Sequence, residues 1–375
     1  MNILILFALF FSFVPIFTYS IYSLAILFTK DASPLEPKMW PNITVVVPTY
    51  NEEAVIDKRI QNLSEINYGT DKIHVIVVDD KSSDSTLEIA RNAFSKYGVS
   101  GEIINKKERT GTNSSVNTGI QKATTDIIVT TDADVVFEKD ALLWTIGRLL
   151  SDDRIGAVCG ELEPVIHEKS VSTGSEKAYR TVYGKICTWE SNIMSTYCFN
   201  GPLIVLKKKA FSPIPETYGA SDASMALSII RNGYRCIYEK NAVFYEYITE
   251  DLAQQKRQKT RRSSRLQEAT VANLGLLSPK YGMFGMVVFP LRISMFLIVP
   301  IFLILSLIAW LYFLYQISIF YCVMFLLLLV LLLFSGNVYP NLFSSFIWHQ
   351  IYLVLSMRYM FRGMHIWKAI DRKEV

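Results

Sequence analysis

Two hydrophobic patterns divide this chain. Between residues 43 and 159 the apolar positions fall in short β-rich runs, ITVVV (43–47), HVIVV (74–78), DIIVT (126–130) and GAVC (156–159). Brief, near-continuous runs of this kind suit strands buried on both faces of a parallel sheet. The stretches between them, near 53–63, 84–97, 112–123 and 138–150, read as helices. In SSDSTLEIARNAF, Ser and Asp cap candidates precede apolar residues spaced three to four apart. Alternating strand and helix predicts an α/β domain with an open, Rossmann-like, mostly parallel sheet. Ligands on such sheets bind beyond the carboxyl ends of the strands.

The second pattern is far longer. Residues 1–29 hold no ionised side chain, and between 281 and 357 the only one is Arg292. A bilayer core needs about 20 apolar residues in a helix. The first block therefore predicts one crossing, and segments 293–313 and 317–335 predict a helical hairpin of two more. A third stretch, 338–357, is more polar and reads as a weaker, interfacial or re-entrant element, which leaves a fourth crossing open. The first block lacks a positive leading region and is long for a cleaved signal, so it reads as a retained anchor. Lys30 and a basic cluster at the end of the globular part put that domain on the cytoplasmic side of a multi-pass plasma-membrane protein. The expected organisation is an N-terminal transmembrane helix (1–30), a globular domain (40–252), a basic amphipathic interfacial segment (253–280), membrane segments (281–360) and a basic cytoplasmic tail (361–375).

Composition agrees with a mixed architecture: 51% of residues are hydrophobic and 19% charged, with a mean hydropathy of +0.26. The net charge of +4 comes from a local excess, which argues against nucleic acid as a partner. Five cysteines without paired spacing suit a reducing compartment. The histidines, His74, His167, His349 and His365, show no metal-ligand spacing, which argues against zinc.

The polar sequence at the strand ends carries the chemistry. One strand runs into PTYNEE (48–53), the next into DDKSSDST (79–86), and a later one into TDAD (131–134). In an extended Asp132-Ala133-Asp134, alternation points both carboxylates to one side. Taken singly, each acidic pair is equally a solvated turn. Three at one sheet edge point to a nucleotide site with a hard cation, Mg²⁺ or Mn²⁺, held by carboxylate and phosphate oxygens.

VVVPTYNEE, VVDDKSSDST and TDAD, in this order and spacing, resemble the family 2 glycosyltransferases of GT-A fold. The likeness is to their membrane-attached branch, which includes cellulose, chitin and hyaluronan synthases, and it covers about residues 40–270. It implies that Pro48, Thr49, Tyr50, Glu52 and Asp80 surround the nucleobase and ribose, usually uridine, with Arg109 and Asn117 also on the donor side. It implies that Asp132 faces the nucleotide sugar and that Asp134 ligates the metal on the diphosphate. CFNGP (198–202), with Phe199, Asn200 and Gly201, resembles the acceptor loop. GASDASMAL (219–227) resembles the segment with the catalytic base, here Asp222, although Asp222 also opens a helical stretch and fits a helix cap. QKTRR (258–262) resembles a Gln-x-x-Arg-Trp motif over the nucleotide, with Gln258, Arg261 and Arg262 assigned to the diphosphate.

Two departures stand out. Arg109-Thr110-Gly111-Thr112 replaces a usual Gly-Lys pair, so Lys106, Lys107 or Arg109 must substitute, and Arg262 replaces the tryptophan that offers a sugar ring a platform. Glu176, Tyr179, Trp189 and Glu190 lie on a helix-like stretch and read as core, with sugar stacking as the alternative. The expected protein is a membrane-bound, metal-dependent, inverting hexosyltransferase. It takes a nucleoside diphosphate sugar, usually a UDP-sugar, to a hydroxyl of a glycan or lipid-linked acceptor among membrane lipids. One rival is transfer to a polyprenyl phosphate, which needs no general base. Others are an idle membrane scaffold, an export subunit, or a nucleotidyltransferase sharing the metal logic.

Overall fold

The computed structural model describes residues 3–165, 171–247, 252–336, 339 and 341–360. In chain order come α1 (Ile3–Phe28), β1 (Ile43–Thr49), α2 (Ile56–Glu65), β2 (Ile73–Asp79), α3 (Thr86–Tyr97), β3 (Ser100–Asn105), α4 (Thr112–Lys122) and β4 (Ile127–Thr130). Then follow β5 (Val135–Phe137), α5 (Ala141–Leu150), β6 (Ile155–Val165), α6 (Val171–Ile193), β7 (Ile204–Lys207), α7 (Ser221–Arg231), β8 (Arg235–Tyr247) and α8 (Leu252–Ala272). Three apolar helices close the described chain: α9 (Phe284–Ile317), α10 (Ile319–Ser335) and α11 (Leu342–Met360).

The strands form one sheet in the order β3-β2-β1-β4-β7-β6-β8-β5. From β3 to β4 the neighbours are parallel; β7 runs antiparallel to β4 and β6, β6 and β8 are parallel, and β5 returns antiparallel on β8. The sheet is thus of the mixed GT-A type; the four apolar runs are β1, β2, β4 and β6, while β3 of the parallel half was not among them. Alternation along the strands feeds two cores. Val45 and Val47 pack on one face with Ile56, Ile60 and Leu142, and Val46 and Ile128 pack on the other with Val116 and Ile120. Helix α4 lies so close to β1 that a Cβ on Gly119 would sit 2.3 Å from Val46 Cγ1, so only glycine fits there.

Strand register decides where the site falls. Thr49 pairs with Asp79, and Val46 with both Ile76 and Thr130, so the carboxyl ends of β1, β2 and β4 share one edge. The order reverses between β1 and β4, the switch point at which open α/β sheets leave a crevice.

Helices α1 and α9 are long and apolar enough to cross a membrane. The second starts at Phe284 rather than 293, and α10, expected as a full crossing, is a 17-residue apolar helix. Helix α9 contains two π-helical turns, Phe284–Val288 and Ser294–Ile298. Each precedes a proline, Pro290 or Pro300, whose missing N–H removes a rung of the ladder that the wider turn absorbs. Between them sits Arg292. Its side chain is 1% exposed, with Nε 2.6 Å from Oε1 of fully buried Glu190 on α6 and Nη2 2.9 Å from Oε2. Glu190 is therefore a core ion-pair partner, and Trp189 packs edge-on against Tyr22 of α1. The Glu176 side chain and the basic tail 361–375 lie outside the described residues.

The segment expected as a lipid-surface amphipath has no apolar stripe to bury. Helix α8 instead turns Ser263, Ser264, Gln267 and Thr270 inward, and Gln267 Nε2 donates to the Phe296 and Leu353 carbonyls at 3.0 and 3.1 Å. Helices α8, α9 and α11 thus meet through polar contacts.

Breaking the buried pair on one side leaves an uncompensated charge. Arg292→Met alone is expected to cost about 3–5 kcal/mol, and Glu190→Leu with Arg292→Met to recover most of it, read by unfolding in detergent micelles. Equal losses for the single and double variants would mean that packing, not charge, carries the contact.

Candidate active site

The loops leaving β1 and β2 are knitted together before any ligand arrives. Asn51 and Lys81 adopt left-handed backbone, with φ of 55° and 67°. Asn51 Oδ1 accepts from Ser83 N at 2.9 Å, Asn51 N donates to Ser82 Oγ at 2.9 Å, and Glu52 N to Thr86 Oγ1 at 2.8 Å. Asp79 accepts from Ser82 N and Oγ, so it holds the turn rather than facing outward.

A cavity of about 770 Å³ opens above this edge. On its nucleotide side lie Pro48, Thr49, Tyr50, Glu52, Asp80 and Arg109, with the Arg109 guanidinium 3.6 Å above the Tyr50 ring. That stack is a flat cationic shelf suited to a nucleobase. Asp80 is already engaged: Oδ1 accepts from Thr110 N at 2.9 Å and lies 3.1 Å from Lys106 Nζ, and Oδ2 accepts from Gly111 N at 2.7 Å. Burial raises its pKa, but the two amides and Lys106 outweigh that and hold it below the usual carboxylate value. Lys106 is spent on Asp80, which leaves Arg109 in the cavity. Asn117 is a correction. It is buried on α4 and off the cavity, its amide exchanging bonds of 2.8 and 3.0 Å with the backbone of Ile214, so it braces a loop.

Asp132 and Asp134 both line the cavity beyond β4. Burial pushes Asp132 up to about 7, and the charges of Asp134 and Glu246 add to the effect. Under the turn lies Arg59 of α2, 1% exposed, with Nη2 donating to Thr131 Oγ1 at 3.0 Å and Nη1 to the Val135 carbonyl at 3.3 Å. Burial pulls its pKa down to about 9, while Asp132 and Asp134 oppose the fall. Two carboxylates over one buried cation form a site short of positive charge. A Mg²⁺ or Mn²⁺ completed by phosphate oxygens and water fits it, whereas no cluster of three or more His, Cys, Asp or Glu capable of an all-protein cage occurs among the described residues.

Helix α8 supplies cations opposite. Gln258, Arg261 and Arg262 line the cavity. Burial, together with Arg262 and Arg265, brings Arg261 down to about 10, the signature of crowded positive charge. Arg262 departs from its assignment: Nη2 sits 2.6 Å from Oε1 of Glu246, which pairs with Val135 next to Asp134. Arg265 donates to the Gly219 carbonyl at 2.6 and 3.0 Å, which fixes the loop before α7.

Phe199, Asn200, Gly201 and Asp222 also line the cavity. A Cβ on Gly201 would lie 3.4 Å from Asp222 Oδ2. Oδ1 of Asp222 accepts from Ala223 N at 2.7 Å, so one oxygen serves the helix start and the other the cavity. Burial raises the Asp222 pKa; the Ala223 amide and Arg262 only partly offset it. The sequence reading did not assign Glu246, Arg265 or the α11 residues Trp348, His349 and Tyr352 to this cavity, nor Arg59 beneath it, since none stands in a strand-end motif.

A family model described as glycosyl transferase family 2 matches residues 44–198, and one described as glycosyl transferase family group 2 matches residues 127–335. The second spans more than half of the chain, which belongs to glycosyltransferase family 2 and is a glycosyltransferase. It is similar to the probable glycosyltransferase YdaM of Bacillus subtilis, 32% identical over 138 residues, 36% of this chain and 33% of the relative. It is also similar to the poly-β-1,6-N-acetyl-D-glucosamine synthase of Staphylococcus aureus, 26% identical over 224 residues, 58% of this chain and 53% of the relative. The chain thus spans about a third to a half of the length of these curated relatives. In fold it resembles the mannosyltransferase PcManGT from Pyrobaculum calidifontis, solved in complex with GDP-Man and Mn²⁺. The TM-score is 0.78 at 24% identity, covering 96% of this chain and 98% of that one.

Asp80→Asn is expected to speed amide exchange at Thr110 and Gly111, with a local loss of about 1–3 kcal/mol from disrupted charged hydrogen bonds. Unchanged exchange would show that the 106–111 loop is held by other contacts.

Proposed function

We propose that this protein is a membrane-bound inverting transferase that moves a sugar from a nucleoside diphosphate sugar, with a UDP-sugar as the first candidate, to a hydroxyl of a growing glycan or glycolipid. The observation that carries the reading is the Asp222 carboxylate against Gly201, in the same cavity as Asp132 and Asp134. The long apolar helices α1 and α9 support membrane attachment. A multi-pass topology with the site at the cytoplasmic face follows from the charge distribution around them.

Inversion at the anomeric carbon is an in-line displacement with an oxocarbenium-like transition state and a diphosphate leaving group. A divalent cation held by Asp134, with Asp132 beside it, would neutralise charge on that diphosphate. Arg261 meets the same charge from the opposite wall. Tyr50 and Arg109 hold the base. Asp222 takes the proton from the attacking hydroxyl, and its raised pKa makes it a stronger base than a solvated aspartate. A phosphate acceptor would leave such a carboxylate without work, which favours a hydroxyl over a polyprenyl phosphate.

Asp222→Asn is expected to lower acceptor-dependent UDP release about 10²–10⁴-fold with little change in UDP affinity. In the wild type, the base works only as the carboxylate, so the rate falls as pH drops through its pKa, and the fall starts at a higher pH than for an ordinary aspartate. Equal stimulation of wild type and variant by polyprenyl phosphate would hand the acceptor to the lipid phosphate.

Burial and its acidic neighbours raise the Asp132 pKa to about 7, so Mn²⁺ binding there is expected to compete with a proton. Titration of Mn²⁺ with UDP in buffers of different ionisation heat is expected to show proton release, with binding weaker as pH falls below about 7. Asp134→Ala is expected to abolish the metal dependence of UDP binding. Metal-independent binding by the wild type would remove the cation from the site.

A further inference from the structure

The family-like motif on α8 ends in Arg262 where a tryptophan would offer a sugar ring its platform, and Arg262 is tied to Glu246. The cavity nevertheless has an aromatic wall, supplied by a different element. Trp348, His349 and Tyr352 of α11 line it together with Tyr179 of α6. Trp348 and Tyr352 are one helical turn apart on the same side of α11, their rings stacked with centroids 6.2 Å apart and planes 28° from parallel. Tyr179 meets the His349 ring at 5.4 Å, and the adjacent Arg180 reaches the Asn200 side chain at 3.5 Å, which makes the wall continuous with the acceptor loop.

Aromatic residues near the ends of membrane helices often mark the lipid interface. These two differ in position: they face a cavity rich in charge, and neither is among the exposed large apolar residues, unlike much of α10. Helix α11 is also held against α8, with Ser356 Oγ donating to Gln267 Oε1 at 2.8 Å. An amphipathic aromatic face in a polar cavity suits a ligand with apolar C–H faces and a hydroxylated rim. A pyranose is such a ligand; an alkyl chain or a bare phosphate is not.

We propose that Trp348 and Tyr352 form a stacking subsite for a sugar ring of the acceptor. The proposal rests on the transferase reading above and narrows it: the acceptor carries a pyranose before transfer, as a glycolipid or glycan does, and the platform lost from α8 is provided by α11.

The test uses the full-length protein in nanodiscs, with Mn²⁺, a panel of UDP-sugars, and octyl glycosides against octanol and octyl phosphate as acceptors. Trp348→Ala is expected to raise KM for the octyl glycoside roughly tenfold, while the Kd for UDP with Mn²⁺ stays at the wild-type value. Trp348→Phe is expected to recover most of the loss, and Tyr352→Ala to reproduce it. An unchanged KM in Trp348→Ala and Tyr352→Ala, with normal UDP binding, overturns the subsite and leaves the transferase reading intact. So does an equal loss with octanol or octyl phosphate, which would assign the wall to the alkyl chain. Absence of acceptor-dependent UDP release by the wild type with every glycoside overturns the transferase reading and the subsite with it.

Discussion

The contact between Arg292 and Glu190 sets the geometry on which the acceptor side depends. Arg292 is the only ionised side chain between residues 281 and 357, and it is buried with its partner rather than turned to solvent. Two charges out of water are tolerated only when every oxygen and N–H is engaged. Here Glu190 Oε2 also accepts from Thr196 Oγ1 at 2.6 Å and Oε1 from Tyr22 at 3.2 Å, so α1, α6, α9 and the 196–201 segment meet at one carboxylate. Tyr183, about two turns before Glu190 on α6, donates to the Cys198 carbonyl at 2.7 Å. Gly201 reaches Asp222 only because its loop is anchored in this way. The π-helical turns on either side of Arg292 fit the same constraint, since they adjust the rotation of α9 where the arginine must point inward.

Charge of both signs lines the cavity. Asp132, Asp134 and Glu246 stand near the sheet edge, α8 contributes Arg261, Arg262 and Arg265, and Arg109 and Arg180 come from other elements. Arg59 lies beneath the acidic turn and Glu246 reaches across to Arg262, so neither cluster stands alone before a ligand arrives. Asp132, Asp134, Arg261 and Arg262 thus stand in one cavity before any ligand arrives. Preorganised electrostatics of this kind cost no reorganisation during the reaction.

Strands β1, β2 and β4 were legible because they are largely buried on both faces and read as Val and Ile runs, whereas the half-exposed β3, SGEIIN, was not. Strands β5 and β7 are too short to rise above their surroundings, and β8 mixes tyrosines, Glu239 and Glu246 into its apolar pattern, which hides it. The donor-side motifs were legible for a related reason: loops at strand ends need particular residues, such as Asn51 in left-handed backbone. Asn117 misled because a buried amide that braces a loop has the same residue type as one that binds a ligand. In helix α8 the lysines and arginines drew the reading toward a lipid surface, and the Ser, Thr and Gln positions, silent in a hydropathy reading, carry contacts to α9 and α11.

Those silent positions give α8 its mechanical character. Within five turns the helix contacts the donor wall through Arg261, the acidic turn through Arg262 and Glu246, and the loop before Asp222 through Arg265. Through Gln267 it reaches the backbone of α9 and α11. A helix is stiff over this length, so displacement of its membrane-side end must be shared by the base-bearing loop and the diphosphate wall. Polar contacts suit this task better than an apolar stripe, because each hydrogen bond fixes a rotation and a register that interdigitated methyl groups leave looser. The apolar helices α9 and α11 are therefore coupled, through α8 and the Glu190 contact, to both halves of the cavity.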